Sequence, residues 1–213
     1  MTIMPTALDE FRSIILFDRK NNTYKLALIM SLVELAREHQ DTDVGRGGVA
    51  IPLRLLAEHW LTLYQPFCQS NSPILVGRSG RKANGVHTAD VSFRTDLETY
   101  NQSPSPESRQ RAIKSLCRTM EMPIQYAGGG QWKVFAVPQR YSKMPMKMLG
   151  LAGTRDDDRC LQLSGPQWIA LVQHEDLYNL CVQAWCSLVT SIPQAEGKSM
   201  SEKEILKRLK RTA

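Results

Sequence analysis

The stretch "GRSGRKANG" at residues 77–85 places three cations, three glycines, a serine and an asparagine in nine positions. Residues of these types in this density suit the capture of phosphate. Glycine lets backbone N–H groups approach an anion closely, Arg78, Arg81 and Lys82 supply positive charge, and Ser79 and Asn84 can hydrogen-bond a phosphate oxygen or a base edge. The loop matches neither the P-loop nor the dinucleotide-binding fingerprint, because neither spacing is present. It therefore reads as a binding element, against the competing reading of a solvated surface loop.

Other residues with chemical potential do not converge. His39, His59, His87 and His174 show neither H-E-x-x-H nor a Cys/His metal spacing. "QHEDL" sets His174, Glu175 and Asp176 side by side, but neighbours on a helix point in different directions, so the segment reads as a helix–helix junction. "DDD" at 156–158 has no accompanying acidic cluster and reads as a solvated turn. No G-x-S-x-G elbow occurs. Cys68, Cys117, Cys160, Cys181 and Cys186 are odd in number and lack C-x-x-C spacing, so they read as buried reduced thiols. The expectation is a binding protein with no catalytic residue and no metal or other cofactor of its own.

Charge strengthens the binding reading. The chain of 213 residues has a formal net charge of +6, and residues 78–147 alone carry 12 Lys/Arg against 5 Asp/Glu, a net +7. Phosphate contacts supply most sequence-independent affinity for nucleic acid, so a basic central section is what a polyanion-binding surface looks like in sequence. No apolar run reaches the roughly 18 residues needed to span a bilayer. "MTIMPTALDEF" lacks the pattern of a secretory signal. The expected setting is cytoplasmic, with no membrane partner.

Helices must hold these residues in place. "NNTYKLALIMSLVELAREH" (21–39) predicts a helix buried on most of its circumference, capped by Asn22 or Thr23. "IPLRLLAEHWLTLYQPF" predicts a second, with Pro52 in its first turn, Leu53, Leu56, Trp60 and Leu63 at helical spacing, and Pro66 at its end. A short helix is expected over 91–100. "SPSPESRQRAIKSLCRTMEM" (103–122) predicts a helix capped by Ser105 and opened by Pro106. Its Arg111, Lys114 and Arg118 share an outer stripe, and Arg109 adds a further cation. "PIQYAGGGQWKVFAV" (123–137) alternates on both sides of three glycines and predicts a β-hairpin, with Gln131 and Lys133 placed to enter a minor groove. Basic helix followed by hairpin is the order of a winged helix. Residues 138–159 read as linker. A short strand-like piece and two helices follow, the first capped by Ser164. Near the end of the sequence, Ser201 and Glu204 have capping-box spacing.

Two stretches resemble a known family. "FDRKNNTYKLALIMSLVELA" (17–36) with "IPLRLLAEHWLTLYQPF" (51–67) is similar to the opening of a group of bacterial HNH endonucleases. "CLQLSGPQWIALVQHEDLYNLCVQAWCSLV" (160–189) resembles the strand, paired helices and Ala-Trp segment that precede the nuclease in those proteins. The His-Asn-His module itself is not encoded here, so the resemblance carries over no catalytic residue, and a divalent metal belongs to that module alone. It implies a non-catalytic N-terminal portion that positions a nuclease. Such portions also resemble the large subunit of type I CRISPR effector complexes (Cascade) that carry an appended HNH nuclease. There the large subunit grips target duplex and reads the motif flanking the protospacer, which implies guide RNA and other ribonucleoprotein subunits as partners.

The expected fold is mainly α, a helical bundle with a small β-hairpin and a winged-helix-like middle. Three parts are distinguished: an N-terminal helical part over 1–67, a basic central part over 68–150, and a C-terminal helical part over 151–213. The expected function is double-stranded-DNA binding in the service of an HNH nuclease. The DNA-binding residues are Arg78, Ser79, Arg81, Lys82, Asn84, Arg109, Arg111, Lys114, Arg118, Gln131 and Lys133. The alternatives are the N-terminal part of a stand-alone HNH restriction or defence endonuclease, and a scaffold subunit that docks proteins through Trp168, Trp185 and the Met144–Met148 region.

Overall fold

Capping chemistry starts several of the helices. In the computed structural model, which describes residues 5–20, 22–44, 47–68, 90–145, 148–191 and 200–209, the first helix is α1 (Ala7–Leu16). The Thr6 hydroxyl accepts the Asp9 N–H at 3.2 Å while the Asp9 carboxylate accepts the Thr6 N–H at 3.0 Å. Phe11, Ile14 and Ile15 form its buried face. Sequence reading assigned no helix here.

Helix α2 (Tyr24–Glu38) is the buried rod its composition predicts, with 11 of 15 residues inaccessible. Asn22 caps it, its side-chain oxygen accepting the Tyr24 N–H at 3.1 Å. Thr23 instead shares a 2.9 Å hydrogen bond with the Tyr64 hydroxyl. Strand β1 (Val49–Pro52) and helix α3 (Leu53–Tyr64) follow. Pro52 therefore ends a strand and does not sit in the first helical turn. Val49, Ala50 and Ile51 are fully buried and pair with a later strand, which draws Pro52 out of the helix. A single 3₁₀ turn at Gln65–Phe67 carries Pro66 and closes α3.

Helices α4 (Asp90–Gln102) and α5 (Pro106–Gln125) pack against each other and α5 also packs on α3. Ser105 caps α5 as expected, accepting the Ser108 N–H at 3.1 Å, with Pro106 at the first position. The expected hairpin over 123–137 does not form. Helix α5 runs on through buried Pro123 to Gln125, and one 3₁₀ turn at Ala127–Gly129 and a series of bends follow. The glycines do supply positive φ, 76° at Gly128 and 75° at Gly129, but they turn the chain out of a helix and not between two strands. The winged-helix order is accordingly not realised in this segment.

The β structure lies elsewhere, partly in the stretch read as linker. Strands β2 (Gln139–Arg140), β3 (Leu149–Gly150) and β4 (Arg159–Leu163) join β1 in a sheet of order β2-β4-β1-β3. The β1–β3 pairing is parallel and the others antiparallel, with Val49 opposite Leu163 and Arg140 opposite Arg159. Helices α6 (Gly165–Gln173), α7 (Asp176–Ser191) and α8 (Glu202–Leu209) complete the described chain. Ser164 caps α6 reciprocally with Gln167. The protein is thus mainly α with a small mixed sheet.

Helix α2 packs against α1, α3, α5, α6 and α7 and is the axis of the core. Beside it Tyr24, Trp60, Tyr64, Phe67, Phe93 and Trp185 form one aromatic cluster with ring centroids 5.5–6.3 Å apart, in the range that favours tilted and edge contacts. No helix among the described residues is long and apolar enough to cross a membrane.

Candidate nucleic-acid interface

The surface that fits the expected chemistry is the outer face of α5. Ala112, Leu116, Met120 and Ile124 are buried on its inner side, which forces the intervening polar positions outward. Arg111, Lys114, Arg118 and Met122 are exposed. At 3.6 residues per turn they fall within an arc of about 80° and form a straight stripe along the helix. None of the three cations makes an ion pair among the described residues. Glu107 lies on the same face near Arg111. Hydrogen bonds from its own backbone and from Ser105, with Arg111 as a smaller influence, hold its carboxyl below the usual range, so it is ionised at neutral pH.

The other predicted residues distribute differently. Arg109 turns away from the stripe and lies 3.5 Å from Glu58 of α3. Gln131 and Lys133 are exposed in the loop after α5. With a rise of 1.5 Å per residue, Gln125 at the helix end is about 21 Å from Arg111, so these two belong to the far end of the face. Arg78, Ser79, Arg81, Lys82 and Asn84 lie outside the described residues.

The structure adds cations that sequence reading passed over. Arg159 of β4 pairs with Glu121, one turn beyond Arg118, and stands opposite Arg140 of the edge strand β2. The stripe thus approaches the sheet edge. Nothing in the sequence signals this, because the register joins residues from a stretch without periodicity.

The loop after α5 is held by a buried ion pair. The Asp18 carboxylate, 5% exposed, accepts Lys25 Nζ at 2.6 Å and the Gly128 N–H at 2.8 Å. A Cβ on Gly128 would stand 2.6 Å from the Val134 side chain, so both the positive φ and the space require glycine there. Trp132 adopts φ 54°, a left-handed conformation unusual for a bulky residue, and its N–H bonds the Gln125 carbonyl at 2.8 Å.

Residues once weighed for catalysis have structural partners. His59 lies 3.4 Å from Glu38, and His174 sits between α6 and α7 at 3.5 Å from Asp176. Asp158 of the acidic turn accepts Arg54 Nε at 2.9 Å and the Arg155 N–H at 2.8 Å. Burial pushes the Cys117 thiol up to about 11 and those of Cys68 and Cys160 to about 12, which leaves them protonated and unreactive at neutral pH. Among the described residues no three His, Cys, Asp or Glu side chains assemble into a metal-holding group. Trp168 and Trp185, considered for protein docking, are buried in the core and present no surface to a partner.

No curated protein and no solved structure matches the chain. A family model described as "Domain of unknown function (DUF8808)" covers residues 5–209, nearly the whole sequence, and the chain belongs to that family.

Proposed function

We propose that this protein is a non-catalytic module that binds double-stranded DNA and positions an HNH nuclease. The observation that carries the binding part is the straight cationic stripe of Arg111, Lys114 and Arg118, exposed on a 20-residue helix and in no ion pair among the described residues, with Glu107 beside Arg111 at its start. From Arg111 to Arg118 the helix rises about 10 Å. Phosphates of one strand follow each other at about 3.4 Å along a duplex axis, so the stripe matches a run of about three. The face holds cations and carries no fixed base-reading group at its centre, which suits contact with the backbone and orientation on the duplex. The nuclease-positioning part is supported by the resemblance of residues 17–36, 51–67 and 160–189 to the segments that precede the nuclease in HNH endonucleases.

Replacing Arg111, Lys114 and Arg118 together by glutamine tests the proposal. All three side chains are exposed, so folding is retained. Each phosphate contact contributes a slope of about 0.9 to the dependence of log affinity on log salt, and the triple variant should flatten that slope by about 2.7. Duplex binding measured over a salt series with an unchanged slope would remove α5 from the interface.

A further inference from the structure

We infer that the C-terminal end of α5, with the loop after it and the end of α1, forms a stacking site for an unpaired nucleotide. This rests on the DNA-binding reading and extends it from phosphate to base. The exposed face of α5 changes character along its length: cations at Arg111, Lys114 and Arg118 give way to Met122, and Tyr126 follows directly after the helix. Tyr126 is 41% exposed. Two residues later the Gly128 N–H bonds Asp18, and next to Asp18 stand Phe17 and Leu16, 80% and 51% exposed. A phenylalanine this accessible, in a chain that buries its other described phenylalanines, is a cost to the free protein that a partner removes.

The flanking charge selects the partner. Arg19 and Lys133 are exposed and make no ion pair among the described residues. Of the carboxylates nearby, Asp18 is buried and neutralised by Lys25, Glu10 is turned to the Gln167 amide at 3.3 Å, and Glu121 beside Met122 pairs with Arg159. Aromatic faces between cations, continuous with a phosphate-binding stripe, are the arrangement that holds single-stranded nucleic acid. Stacking on the ring and contact with the backbone reinforce each other there, and every base has a face to stack. Gln131 adds an amide that can meet a base edge. The strained Trp132 and the Asp18 clamp fix this loop before any partner arrives, so little ordering is required on binding.

The test compares a blunt duplex with the same duplex carrying a short single-stranded overhang, using the full chain and fluorescence anisotropy. A 2-aminopurine in the overhang reports stacking directly. The wild type should bind the overhang duplex about tenfold more tightly and quench the probe. Phe17→Ala and Tyr126→Ala should abolish both effects and leave blunt-duplex affinity unchanged. Equal affinity for the two DNAs with no quenching, while the α5 triple variant still loses binding, would overturn the stacking site and leave the DNA reading standing. No binding of either DNA at low salt would overturn both, and would turn the exposed aromatic end toward a protein partner. Retained preference in both alanine variants would show that the unpaired base lies elsewhere, which also overturns the assignment.

Discussion

Removing the Asp18 carboxylate would strand the Lys25 ammonium, 12% exposed, and release the Gly128 N–H at the same time. Breaking a buried pair from one side leaves a charge without compensation, so Asp18→Ala should destabilise the protein by about 3 kcal/mol in urea unfolding. Asp18→Asn should recover part of this, because the amide oxygen can still accept the Gly128 hydrogen bond. An Asp18→Ala variant as stable as the wild type would show that the pair is not the fastening of the loop. The residue scale also explains why the cysteines are passive. Apolar surroundings favour the neutral thiol, and the raised values at Cys68, Cys117 and Cys160 exclude thiolate chemistry at neutral pH.

Among the elements, α1 shows a legible signal left unread. Thr6 and Asp9 have capping-box spacing, and Phe11, Ile14 and Ile15 recur at helical intervals. The Asp9 carboxyl is drawn below its ordinary 3.8 first by the Thr6 hydroxyl and then by the Thr6 N–H. A carboxyl with a depressed folded value contributes stability above its unfolded pKa and loses it as pH falls through the folded one. Helix α1 should therefore hold its first turn at neutral pH and fray as pH drops below about 3.8. Amide exchange at Asp9 and Glu10 across that range measures it, and protection that stays constant would remove the cap from the account. Helix α5 teaches the converse. Its cap and its cationic stripe follow from local spacing, whereas its end does not. Three glycines after an alternating pattern serve a hairpin and a helix exit equally well, and the choice fell to Asp18, more than a hundred residues away.

At the scale of the whole molecule, the three parts distinguished in the sequence share one core. Trp60, Trp168 and Trp185 come from the first and last parts, and all three are buried in the same cluster of residues as Phe93, Leu97 and Leu116 of the middle. Strand β1 of the first part pairs with β3 of the second and β4 of the third. Unfolding should accordingly be a single transition, with far-ultraviolet circular dichroism and tryptophan fluorescence giving the same urea midpoint. Two separated midpoints would show that the parts stand independently.

The sequence by itself determined where most helices lie and the caps that start α1, α5 and α6, because apolar spacing and first-turn hydrogen bonds are local, but not where α3 begins or α5 ends. It likewise determined that Arg111, Lys114 and Arg118 share a face. Only the tertiary structure decided the sheet, since β2 and β3 are two residues long and too short for any periodicity, and their partners lie far along the chain. The same holds for the fastening of Asp18, next to Phe17, to the turn after α5. That fastening depends on the Asp18 carboxylate, paired with Lys25 seven residues on, meeting a glycine N–H 110 residues away, and no short window of sequence contains both sides.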